Sequence, residues 1–200
     1  MQRQNLRRLI LRLALSAALV SVSVLTPKHL SGQALPTRSR VAGASAFGTY
    51  TRLTTDYGSS GNGITVGGDY IRYLKFLSPA IEVRFKTGSG MAVREETFGG
   101  GLRIEHQIKY FHPYADLLIN DGLIHFTKNG YIGGNGKGSN SSVVYSFGGG
   151  VDYDFADQWA ARVDYQSEHW NLQTVPNVIL TPRAFSFGIL YRFRLGRTRD

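Results

Sequence analysis

Residues Ala184–Phe193 read A-F-S-F-G-I-L-Y-R-F. In an extended strand, Phe185, Phe187, Ile189, Tyr191 and Phe193 share one face. Ala184, Ser186, Gly188, Leu190 and Arg192 share the other. Large apolar side chains in strict alternation make a face too greasy to leave in water. The interleaved residues are too small and polar to form a second packing surface. A bilayer suits the first face, and the lumen of a narrow barrel suits the second.

The same period of two recurs upstream. Between Ala80 and Lys86, Ile81, Val83 and Phe85 alternate with Glu82, Arg84 and Lys86. Trp159, Ala161, Val163 and Tyr165 alternate with Arg162, Asp164, Gln166 and Glu168. Phe147, Gly149, Val151 and Tyr153 stand against Ser146, Gly148, Gly150 and Asp152. Phe98, Gly100, Leu102 and Ile104 stand against Gly99, Gly101, Arg103 and Glu105. Ala115, Leu117 and Ile119 stand against Asp116, Leu118 and Asn120. A strand over Ile64–Leu74 sets Asp69 against Val66, Tyr70 and Leu74, with Arg72 interrupting the apolar face. The first strand, about Val41–Leu53, is small and mixed on both faces, so its sidedness stays open.

These are eight strands, and the connections between them are expected to alternate in length. Short ones fall near Phe76–Pro79, Lys109–Pro113 and Phe155–Asp157. Longer ones fall at Thr54–Gly63, Thr87–Thr97, Asp121–Asn140 and Asn171–Pro182. Short turns at one end and long loops at the other are a feature of outer-membrane barrels. The expected fold is all-β: an eight-stranded antiparallel up-and-down transmembrane β-barrel. Its inward charges would be Asp69, Glu82, Arg84, Lys86, Arg103, Glu105, Asp116, Asp152, Arg162 and Asp164. Both signs are present in similar number, which points to a salt-bridged, plugged lumen rather than a selective pore.

The N-terminus reads as an export signal. Arg3, Arg7, Arg8 and Arg12 precede an uncharged run from Leu13 to Leu25, and small residues follow around Ser31–Ala34. The expected organisation is a signal peptide over 1–34, a barrel over 35–193 and a short basic periplasmic tail over 194–200. The whole chain carries a formal charge of +9. Without residues 1–34, 18 basic residues face 14 acidic ones, a charge of +4. That is a weak footprint for nucleic acid. Cysteine is absent, which excludes disulfides, thiolate metal sites and a lipid-modified N-terminal cysteine.

The signal segment, the alternating strands and the terminal AFSFGILYRF resemble the small eight-stranded outer-membrane barrels of the OmpA/OmpX type. The resemblance implies residence in the cell outer membrane, among lipids including lipopolysaccharide. It also implies that the barrel-assembly machinery reads the last strand through its aromatic end, Phe193. Arg194–Asp200 extend beyond that aromatic and are too few for a peptidoglycan-binding domain. The function expected is structural or recognitional: membrane integrity, adhesion, or capture of an extracellular ligand by the loops.

Two other readings compete. A soluble lipocalin-like barrel would invert the polarity, with apolar side chains inside. A lipid A-modifying enzyme would need a His-activated Ser. Glu168-His169-Trp170-Asn171 lies at the right end of a late strand, but Asn171 stands where the Ser should be. Ser167 is the nearest hydroxyl, on the wrong side in sequence, and Trp170 reads as an interfacial aromatic. Tyr50, Tyr70, Tyr114, Tyr153, Trp159 and Tyr191 read the same way. His106 and Glu105, adjacent on a strand, point to opposite faces. The run Gly133–Ser139 lacks the Ser/Thr and the helix of a phosphate loop. No catalytic residue, cofactor or metal site is assigned, and the chain is not expected to be an enzyme.

Overall fold

The computed structural model describes residues 42–56, 60–90, 93–126, 139–172 and 178–193. The expected signal segment, the C-terminal tail and the glycine-rich run 133–138 lie outside the described residues. Strands β1 (Ala42–Thr54), β2 (Ser60–Arg72), β3 (Ser78–Ser89), β4 (Val93–Glu105), β5 (Phe111–Phe126), β6 (Ser139–Asp154), β7 (Trp159–Leu172), β8 (Val178–Leu180) and β9 (Arg183–Phe193) follow one another. Each of the first seven pairs antiparallel with the next, and β9 pairs with both β7 and β1. The short β8 continues the register of β9 against β7: Leu180 faces Trp170 and Arg183 faces Ser167. The two are one barrel strand, interrupted at Thr181-Pro182, where proline brings no N–H to the ladder. The result is a closed barrel of eight strands with no free edge.

Register fixes its dimensions. From Ala44, successive partners are Tyr70, Ile81, Leu102, Leu117, Phe147, Ser167 and Arg183, which faces Thr54. One circuit therefore climbs from position 44 to 54 on β1, a shear of ten residues. With ~3.3 Å per residue and ~4.8 Å between strands, this gives a tilt of ~40° and a radius of ~8 Å. At that radius side chains meet across the axis.

The exterior is banded. Towards the chain termini, Tyr70, Phe111, Tyr153, Trp159, Tyr191 and Phe193 form an aromatic girdle. Ring contacts tie it together: Phe111–Tyr153 at 5.0 Å, Trp159–Tyr191 at 4.9 Å and Tyr191–Phe193 at 5.1 Å. Aliphatic residues follow, among them Ile81, Val83, Leu102, Leu117, Val163 and Ile189. A second girdle holds Tyr50, Phe98, Tyr145, Phe147, Tyr165 and Phe185. At ~2.5 Å of axial climb per residue, the band from Phe193 to Tyr145 is ~24 Å tall. Above it the outward residues turn polar on seven of the eight strands, at Arg52, Asn62, Thr87, Glu96, Asp121, His169 and Arg183, while β6 presents Val143.

Inside, polarity runs the other way. Below the rim the lumen is charged. Above it, Val93, Ile124, Val144, Trp170 and Leu180 pack into a buried apolar cluster. Past the rim the barrel is thus mainly apolar within, Glu95 excepted, and mainly polar without, Val143 and Ile179 excepted.

Several expectations need correction. The connections opposite the termini are not generally longer: β1–β2 and β3–β4 are joined by residues 55–59 and 90–92. The strands themselves extend where loops were expected, because the apolar cluster gives them a core beyond the membrane band. Only 127–138, between β5 and β6, is long. Strand β5 likewise begins at Phe111, after a tight turn in which Ile108 and Phe111 exchange backbone hydrogen bonds of 2.8 and 2.9 Å. Tyr114 and Trp170 do not lie in the girdles. Both point into the lumen and are buried, because their positions fall in the inward phase of β5 and β7. Strand β1 turns Gly43, Ser45, Phe47 and Thr49 inward, and Ala42, Ala44, Ala46 and Gly48 outward.

Candidate functional site

The inward phase of the strands gathers the charged residues into one network. Asp69, Glu82, Arg84, Lys86, Arg103, Glu105, Asp116, Asp152, Arg162 and Asp164 all enter the lumen, each with a side chain at most 8% exposed or a buried ion pair. Arg103 is its centre. One terminal nitrogen donates to Asp152 Oδ2 at 2.6 Å and Glu105 Oε2 at 2.9 Å. The other reaches Glu82 Oε2 and Asp69 Oδ2, both at 3.4 Å. Arg162 grips Asp152 with two donors at 2.8 and 2.9 Å. Arg84 donates to Glu82 at 2.8 Å and to Asp164 at 3.0 Å. Tyr114 Oη donates to Asp164 at 2.7 Å, and Gln166 donates to both Asp116 oxygens at 2.9 Å. Lys86 pairs with Glu168.

Aromatic faces fill the space between these charges. The Arg103 guanidinium lies 3.7 Å from the Tyr114 ring centre, and that of Arg162 lies 4.1 Å from Phe47. Stacking of this kind packs the flat cation while its edges keep their hydrogen bonds. Phe47 carries no inward signal in sequence, since its strand is of ambiguous sidedness. Tyr114 shares the phase of Asp116 but reads by residue type with the girdle aromatics.

The network continues towards the termini through Arg192, which stands on the interior face of the closing strand, and through His112 and Asp154, which are not among the expected inward charges. His112 bridges Glu105 and Asp154, each at 2.9 Å, and Arg192 donates to Asp154 at 3.0 Å. His112 precedes a proline and lies before the expected start of its strand, so its inward phase was not readable. Towards the rim small neutral groups surround the Lys86–Glu168 pair: Asn120 donates to Ser146 at 2.7 Å, and Thr51 bonds Thr65 and Ser186 at 2.7 and 2.9 Å. A cavity of about 10 Å³ lies here, lined by Lys86, Thr97, Asn120, Ser146 and Gln166 among others. It suits a single water molecule. The Trp170 indole, 0% exposed, closes the column and donates to Glu168 Oε2 at 2.9 Å.

No enzyme centre assembles on β7. Glu168 is inside, paired with Lys86 and Trp170, while His169 and Asn171 are exposed on the outer wall. An acid and an imidazole on opposite faces of a strand do not share a proton. His106 bonds the Phe76 carbonyl at 2.5 Å and does not meet Glu105. Among the described residues, no His, Asp and Glu cluster is placed to hold a metal ion.

No family model and no curated protein matches the sequence. Solved structures do match. Neisserial surface protein A aligns over 76% of this chain and 97% of its own, with 13% identity and a TM-score of 0.54. Ail, the attachment invasion locus protein of Yersinia pestis in complex with the heparin analogue sucrose octasulfate, aligns over 76% and 97%, with 15% identity and a TM-score of 0.50. The fold is that of the small outer-membrane barrels. In a barrel of this kind the girdled apolar band faces lipid. Phe185, Phe187, Ile189, Tyr191 and Phe193 stand on that band, on the strand that closes the barrel against β1.

Proposed function

We propose that this chain is an outer-membrane protein whose barrel is a side-chain-filled anchor, with a structural or surface-recognition role and no catalysis. One observation supports it above all: the charges are inside and the apolar side chains are outside. A soluble ligand-binding barrel needs the opposite arrangement. The filled lumen and its apolar cap argue against a conducting pore, and the connections opposite the termini are left as the surface that meets other molecules. Membrane lipids, lipopolysaccharide among them, are the partners of the band, and the barrel-assembly machinery is the partner of the closing strand during biogenesis. One structural neighbour is called a surface protein and another an attachment invasion protein, and a recognition role for this barrel is of the same kind.

The test is to place a cation on the band. Leu117 lies near mid-height and is 59% exposed. Leu117→Arg is expected to destabilise the barrel in lipid vesicles by ~2–4 kcal/mol. In a soluble barrel the same outward substitution would stay within ~0.5 kcal/mol. Urea titration of the vesicle-folded protein, read by its heat-modifiable gel migration, distinguishes the two. An unchanged midpoint, or wild-type protein recovered in the periplasm without detergent, overturns the membrane reading.

A further inference from the structure

A carboxylate stands inside the apolar cap. Glu95 lies above the girdled band, in the inward phase of β4 between Val93 and Thr97, and is 2% exposed. On β5 it faces Ile124. On β3 it faces Gly88, where a Cβ would lie 2.0 Å from a Leu53 methyl, so Leu53 fills that side. Among the described residues the Glu95 Oε2 atom has no hydrogen-bond partner.

The nearest cation is already engaged. Lys86, one inward position below Gly88 on β3, pairs with Glu168 Oε1 on β7, and the Trp170 indole donates to the other Glu168 oxygen at 2.9 Å. Asp56, in the turn after β1, is held by the Thr181 backbone N–H and hydroxyl. Among the described residues, β1, β2, β5, β6, β8 and β9 turn no charge inward at this level. Lys86 therefore faces two carboxylates, Glu95 and Glu168, and one negative charge is left unbalanced. A buried carboxylate without a partner is costly, and a proton removes the cost. Burial pushes the Glu95 carboxyl up to about 7; Lys86 pulls it down, and Glu168 and Asp56 push it up.

We propose that Glu95 is a proton-operated latch on the apolar cap. Neutral, it lets Val93, Ile124, Val144, Trp170 and Leu180 close over the lumen. Ionised, it draws in water and frees the strand ends that carry the connections opposite the termini. Val93 opens β4, Ile124 lies near the end of β5 and Leu180 ends β8, so a loosened cap passes directly to those connections. Closing binds a proton that opening releases. Opening is therefore favoured more and more as pH rises from the ordinary carboxyl value of 4.5 to about 7, and levels off above. That the connections meet the outside medium rests on the membrane reading above; there, external acid closes the latch.

The experiment is hydrogen exchange, read by mass spectrometry, on the full chain folded in phosphatidylcholine vesicles at pH 5 and pH 8. Backbone amides exchange through local opening, so peptides that contain Val93, Ile124 and Leu180 report on the cap. Wild type is compared with E95Q at each pH, which cancels the intrinsic pH dependence of exchange. The ratio of wild-type to E95Q rates at the cap is expected to rise ~50–100-fold from pH 5 to pH 8. At Leu102 and Leu117, in the band, it is expected to stay constant. A second variant, E95M, fills the same space with an apolar side chain and is expected to give the same rise. Heat-modifiable migration is read first on every protein. Wild type that fails to form the barrel in lipid overturns the membrane reading, whereas the latch is judged on the rate ratios alone. If only one variant folds, that variant supplies the comparison; if neither does, the wild-type cap amides, corrected for intrinsic exchange, must gain more than the band amides. A rate ratio that does not change with pH, or one that rises equally in cap and band, overturns the latch.

Discussion

Arg103→Met is expected to destabilise the folded barrel by ~3–5 kcal/mol, the cost of breaking a buried ionic network from one side. Arg103 is 1% exposed and reaches four carboxylates: Asp69, Glu82, Glu105 and Asp152. Methionine replaces much of its volume and none of its charge. Arg162 remains on Asp152, but Glu105 loses its arginine and keeps only His112. The Tyr114 ring also loses the cation 3.7 Å from its face. With a urea dependence of ~1–3 kcal/mol per molar, the unfolding midpoint should fall by ~2 M. A control comes from the surface. Arg94 pairs with Glu96 at 2.6 Å, but its side chain is 56% exposed. Exposed pairs contribute ~0–1 kcal/mol, so Arg94→Met should shift the midpoint by only a few tenths molar. If the two variants unfold together, the lumen network does not stabilise the barrel.

The second large effect is expected at Trp170. Its indole packs with Val93, Ile124, Val144 and Leu180 above the membrane band. Truncating a buried tryptophan to alanine costs ~3–5 kcal/mol through lost burial and the cavity left behind. Trp170→Phe keeps most of the ring and removes the Nε1 donor to Glu168. It should cost ~1.5–3 kcal/mol, the value of a hydrogen bond to a charged group. The same urea titration orders the two. An alanine variant as stable as wild type would mean that the cap does not hold the strand ends together. That outcome would also undo the account of why the strands run on past the rim.

The sequence was most readable where its two faces differ in kind. In β3 every inward position from Glu82 to Lys86 is charged and every outward one is apolar, so the phase could not be mistaken. The terminal strand is nearly as clear. Strand β1 was opaque because Ala42, Ala44, Ala46 and Gly48 carry no polarity to set against Gly43 and Ser45. There the neighbours decide: β9 and β2 impose a register that sends Phe47 inward.

Trp170 was misread for a different reason. Period two continues unbroken along β7, but what it means changes at the rim. Below the rim an inward residue meets charge, and above it an inward residue meets Val144 and Leu180. At Val143-Val144 both faces of β6 are apolar, so alternation disappears where the environment changes. The extra strand length was hidden by the same ambiguity. Gly61, Gly63 and Gly88 read as loop residues, although in the barrel they are ladder positions. At Gly63 and Gly88 the chains approach so closely that a side chain would overlap backbone or Leu53.

The height of the girdled band also acts on the lipid around it. A typical hydrocarbon core is ~30 Å thick, and this band is ~24 Å tall. In a bilayer of that thickness, lipids that touch the barrel must shorten or splay and the bilayer dips around it, whereas the outer membrane, thinner than average, fits the band more closely. The penalty is a fraction of a kcal/mol for each ångström of mismatch. Two barrels side by side share one dip and deform less lipid than two apart. The protein is therefore drawn to thin membrane, and in thicker membrane to other short-banded barrels, by a force that no residue contact transmits.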